Sequence, residues 1–127
     1  MEVKAKELRI GNWINECEMS YLGTKVTIEH NDKIIQDAFD LQTIEETPEL
    51  FKYIQLSPDW AIKLGFKKEG DYYVIDTPLL QIKLEFCDDD KIDVYIYQDG
   101  KPVFYCRWIE YVHTIQNLYF ALTDTEL

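Results

Sequence analysis

Two histidines and three cysteines are all the imidazole and thiol groups that this chain of 127 residues offers a zinc-type metal ion. His30 and His113 are isolated, and Cys17, Cys87 and Cys106 contain no closely spaced pair, so no zinc site is expected. An odd number of widely spaced cysteines does not make a disulfide framework either; it suits free thiols in a reducing cytoplasm. Glycine is scarce too. Gly11, Gly23, Gly65, Gly70 and Gly100 all stand alone, so no glycine-rich loop cradles a phosphate and no cofactor is expected. Basic residues number 13 against 24 acids, a net charge of −11 spread along the chain. Phosphate backbones and anionic membranes gain nothing from such a surface, so neither nucleic acid nor membrane is expected as a partner. Long apolar runs are missing. The start, Met1-Glu-Val-Lys-Ala-Lys-Glu7, lacks the apolar stretch of a signal peptide. Nothing approaches the roughly 18 apolar residues that cross a bilayer.

What is present is core material: 46% of residues are hydrophobic and 14% aromatic, which argues for a folded domain rather than disorder. Residues 3–9 fit a helical turn, and Gly11-Asn12 a turn before a strand near Trp13. Val26 and Ile28 alternate with polar neighbours, which predicts a strand over Lys25–His30. Asn31-Asp32 then reads as a turn, Lys33–Asp37 as the start of a third strand, and Phe39–Glu46 as an irregular one. This opening resembles that of a small SH3-like barrel. Thr47-Pro48, beside Glu45, Glu46 and Glu49, is the best internal boundary.

A short strand is expected at Tyr53–Leu56. Ser57-Pro58-Asp59 is a well-specified helix start, with Ser57 as N-cap, and Gly65 is the stop. The rest reads as a meander with turns at Glu69-Gly70-Asp71, Thr77-Pro78, Asp88-Asp89-Asp90 and Asp99-Gly100. The last is the two-residue signature of a type I′ hairpin. Counting outward from it predicts Ile96 opposite Val103 and Val94 opposite Tyr105, with Phe104, Cys106 and Trp108 on the other face beside Tyr95 and Tyr97. The final strand runs over Lys101–Ile109. Residues 110–122 complete the chain as a helix on which Tyr111, Val112, Ile115, Leu118, Tyr119 and Leu122 share one face.

Three pieces, Leu8-Arg-Ile-Gly-Asn-Trp-Ile14, Leu56–Phe66 (LSPDWAIKLGF) and Tyr111–Thr123 (YVHTIQNLYFALT), resemble a group of small uncharacterised proteins of Bacteroides-like bacteria, often carried in prophages or mobile elements. The group has no assigned activity, so the resemblance implies a cytoplasmic accessory protein and assigns no residue a role.

Candidate chemistry is thin. Asp88-Asp89-Asp90 lacks the glycine and glutamate of a calcium loop, since Asp93 and Asp99 occupy those places. It reads as a solvated hairpin tip. Cys106 and His113 are the one conceivable nucleophile–base pair, but Cys106 sits in an apolar strand and reads as core. Glu45, Glu46 and Glu49 read as a charged linker. On the last helix, Phe120 lies off the main apolar face beside His113, Gln116 and Asn117. It is either covered by its own chain or part of an interface for a protein partner or a second copy.

The sequence thus predicts one α+β domain over 1–127, with a possible subdivision into 1–47 and 48–127. A mainly antiparallel meander carries a short helix and a C-terminal helix. The expected function is a non-enzymatic protein-interaction or accessory module in the cytoplasm, with no catalytic, cofactor or metal residue assigned. Its rivals are an acidic DNA mimic that inhibits a DNA-handling enzyme, and an enzyme of unknown type.

Overall fold

The computed structural model describes residues 2–127, save the side chains of residues 19–22, 26 and 27. The chain is α+β. It forms two compact units, Met1–Ile54 and Gln55–Leu127, each with its own antiparallel sheet.

The first unit is built on a long hairpin. Strands β1 (Trp13–Leu22) and β2 (Lys25–Ile34) pair along their whole length, Trp13 opposite Ile34 and Leu22 opposite Lys25. Asn31 and Asp32 do not turn the chain. They continue β2 opposite Glu16 and Asn15, and Asp32 accepts a 2.9 Å hydrogen bond from the Asn15 side chain. The expected strand at Phe39–Glu46 is instead helix α1 (Ala38–Glu46). Its start is set by Asp37, which accepts from the Asp40 backbone N–H at 2.9 Å, while the Asp40 carboxylate accepts from Gln36 N–H at 2.8 Å. Leu41 and Ile44, three residues apart, point the helix at the core of Val3, Leu8, Ile14, Ile35 and Phe51.

After a 3₁₀ turn at Pro48–Leu50, β3 (Phe51–Lys52) pairs with β1 on the side away from β2. The predicted strand at Tyr53–Leu56 is therefore displaced to residues 51–52. Three strands and a helix make no closed barrel among the described residues, so the SH3-like expectation does not hold.

The Gly11-Asn12 turn is held from several sides. Gly11 takes φ +100°, a region open to glycine. Its N–H donates to the Ile35 carbonyl, Ile35 N–H donates to the Asn12 carbonyl, and the fully buried Asn12 side chain accepts from Arg9 N–H at 2.7 Å. The conspicuous Arg-Ile-Gly-Asn-Trp run is thus a structural clasp.

The second unit is a five-stranded meander in sequence order: β4 (Lys67–Glu69), β5 (Tyr72–Asp76), β6 (Gln81–Phe86), β7 (Ile92–Gln98) and β8 (Lys101–Cys106). One face buries Ile82 and Leu84 of β6 and Ile92, Val94 and Ile96 of β7. Helix α2 (Pro58–Lys63) begins as predicted, with Ser57 capping Trp60 N–H. It ends when Gly65 N–H donates to Ile62 and Phe66 N–H to Ala61, the two reversed bonds that follow a glycine at φ +108°. Helix α3 (Val112–Thr123) closes the chain. Gln55 forms a lone antiparallel bridge with Tyr111.

The Asp99-Gly100 turn has both residues at positive φ, 53° and 75°, and pairs Gln98 with Lys101 as expected. The register beyond it differs. Tyr97 faces Pro102, but Ile96 faces Phe104, so Val103 is an inserted residue. A bulge beside a proline shifts every later partner by one. Phe104 and Cys106 consequently join the Ile96 and Val94 face, and Tyr105 stands opposite Tyr95 on the other.

Candidate functional site

The second face of the five-stranded sheet carries tyrosines and charge. Tyr95 lies 5.1 Å from Tyr105 and 6.2 Å from Tyr72 between ring centroids. Lys83 places its ammonium 4.9 Å above Tyr97 and 5.6 Å from Tyr72. At one end of this row sits Asp93, 8% exposed. Its Oδ1 accepts from the Tyr105 hydroxyl at 2.7 Å and from Arg107 Nε at 2.6 Å, and its Oδ2 accepts from the Cys87 thiol at 3.2 Å. Arg107 reaches on to Asp89 at 3.1 Å.

Burial alone would raise the Asp93 carboxyl. The bonds from Tyr105 and Cys87 and the charge of Arg107 outweigh it and hold the group below the ordinary carboxylate range. In return, the bond to Asp93, then burial, pushes Tyr105 up to about 12. The bond to Asp93 raises the Cys87 thiol as well. Glu85, Cys87 and Asp93 bring one ligand atom each within 4.8 Å of one another. A cation there would have to displace the Arg107 guanidinium from Asp93 and deprotonate a thiol that the carboxylate keeps neutral. The cluster reads as an ion-pair lock across β7 and β8.

The residues singled out from sequence fall elsewhere. His113 and Gln116 are buried, and Tyr111 stacks on His113 at 5.7 Å. Asn117 and Phe120 are half-buried. Cys106 is buried, and desolvation raises its thiol. Glu45 and Glu46 lie exposed in the last turn of α1, and Glu49 in the 3₁₀ turn after it.

The sequence places Phe104 and Trp108 on an aromatic second face of the last hairpin, but it did not single out the exposed edge of β8 as the strongest surface feature. Val103, Phe104, Tyr105 and Trp108 are 56%, 44%, 51% and 63% exposed. All but Trp108 lie on β8, which has a strand neighbour on one side only among the described residues. The opposite edge, β4, is Lys67-Lys68-Glu69, the charged kind of edge that resists pairing. Between β8 and the end of α3, a groove of about 340 Å³ is lined by Leu80, Ile96, Gln98, Val103, Phe104, Leu118 and Leu122. The sequence signal was Pro102 beside the hairpin turn, a residue that strands accommodate at edges and bulges; the bulge at Val103 moves Phe104 to the groove side.

Comparison with protein-family models, curated proteins and solved structures finds no match. No helix among the described residues is long and apolar enough to cross a membrane.

Proposed function

We propose that this chain is a non-enzymatic protein-interaction module, an accessory factor that works by holding another protein. One observation carries the reading: beyond Lys101, β8 presents an apolar and aromatic sheet edge, whereas β4 presents a charged one. Exposed apolar and aromatic residues gathered along one strand edge are a usual mark of a protein-binding surface. Tyrosines add rigid contact area at small entropic cost, and four of them lie in or beside the row that ends at Tyr105. The clustered ionisable groups at Asp93 support the same reading, because their bonds to one another hold the β7–β8 platform rather than leaving a poised acid or base. The bacterial accessory role implied by the resemblance, in the cytoplasm and of mobile-element origin, is compatible with it.

The test is affinity capture from the native cells with the tagged chain beside a Phe104→Asp/Trp108→Asp variant. Both sites are exposed, so the variant should keep its melting temperature. The expected outcome is a partner retained by the wild type and lost by the folded variant. Equal retention by both would overturn the assignment of the surface.

A further inference from the structure

We infer that the groove beside β8 receives an extended, apolar segment of a partner protein with basic residues at its flanks, added as a sixth strand to the sheet. The inference rests on the interaction-module reading above and names the occupant. Pro102 has no N–H and Val103 is bulged, so the regular edge of β8 is residues 104–106, whose outward backbone groups another extended backbone can satisfy in kind. Beside that edge, the groove between Val103 and Phe104 on one wall and Leu118 and Leu122 on the other is apolar save for Gln98, and its volume of about 340 Å³ can take large side chains. Alternate residues of an added strand point to one face, so every second side chain would enter the groove.

The rim fixes the sign of the partner. Helix α3 ends at Thr123 with no basic residue in its last turn, so its carbonyl end keeps its partial negative charge. Asp124 caps that end, and Asp99 follows the groove residue Gln98 in the hairpin turn. Against these stands one base at the start of β8, Lys101. The chain as a whole carries −11. Two copies would meet with like charge, which disfavours a second copy as the occupant and favours a basic segment.

The experiment uses the full chain and three fluorescent peptides of alternating leucine and threonine. One ends in lysines, one in glutamates, and one is the lysine peptide N-methylated along its hydrogen-bonding edge. In anisotropy titrations, the lysine peptide should bind at least about tenfold more tightly than either of the others. High salt should weaken it, and hydrogen exchange should slow at residues 103–105. Leu122→Lys, a change at a half-exposed wall whose fold is checked by thermal melting, should weaken it by a similar factor. Equal binding of all three peptides, absence of binding by the lysine peptide, or protection away from β8 would overturn the inference. So would a dimer paired through β8 that the peptide cannot compete away. If captured protein still depends on Phe104 and Trp108 while the lysine peptide fails to bind, strand addition falls and the interaction module stands. If the peptide binds but no protein is captured, the module reading fails and the inferred partner segment falls with it.

Discussion

The Tyr105 hydroxyl donates a 2.7 Å hydrogen bond to the Asp93 carboxylate, tying the exposed edge strand to its inner neighbour from the open face of the sheet. Tyr105 stands opposite Tyr95, so this bond runs diagonally, and Arg107, one residue past the end of β8, closes on the same oxygen. An edge strand must keep its shape with a strand neighbour on one side only, and these side-chain bonds supply the restraint.

The first prediction is spectroscopic. A neutral phenol favoured by the fold contributes stability that is fully present below the ordinary tyrosine value of 10.0 and is lost as pH rises through about 12. Absorbance titration of wild type and Tyr105→Phe should therefore differ by one phenol ionising near pH 12. A missing step near pH 10 would show that the bond to Asp93 does not form.

Cys87 gives the second. Its thiol donates to Asp93, and that bond, with burial behind it, raises its pKa. Asp93→Asn removes the negative charge that penalises the thiolate. Alkylation of Cys87 by iodoacetamide at pH 8 should speed up severalfold in the variant, read by peptide mass spectrometry. Cys106, which is buried, should stay slow in both. An unchanged Cys87 rate would mean that the carboxylate does not control the thiol.

A third prediction concerns acid. Asp93 is held below its ordinary value of 3.8, so its contribution to stability is present above about pH 4 and is lost as pH falls through its depressed folded value. Stability of the wild type should drop across that range more steeply than that of Asp93→Asn, by urea midpoints taken from pH 6 downward. Parallel curves would remove Asp93 from the acid response.

The second unit was legible because its information is local. Strands β6 and β7 alternate, three of the turns carry glycine or aspartate and the fourth carries Thr77-Pro78, and Ser57-Pro58 and Gly65 bracket α2 with the bonds their positions predict. Where the sequence misled, the deciding term was not local. Phe39 and Leu41 suggested a strand by alternation, but the cap at Asp37 and the burial of Ile44 select a helix. Phe39 itself is left exposed. Asn31-Asp32 looks like a turn in isolation, yet a ten-residue partner strand holds it extended. The Asp93 lock joins residues 87, 89, 93, 105 and 107, and it exists only after the hairpins are in register. The bulge at Val103 changed that register by one, which is enough to exchange the two faces of β8.

The last prediction separates the two halves of α3. By angle alone, Ile115 and Leu122 share one face and should cost the same to truncate. In the structure, Ile115 is 0% exposed, whereas Leu122 is 38% exposed on the groove wall. Ile115→Ala should leave a cavity and destabilise the chain by about 2–5 kcal/mol. Leu122→Ala removes atoms already half in water and leaves an open groove that solvent can fill, so its cost should be under about 1 kcal/mol, since less apolar area is withdrawn from burial. Urea melts of the two variants, read by tryptophan fluorescence, measure the difference directly. Comparable losses would show that Leu122 packs as core, and that the groove beside β8 is closed in solution.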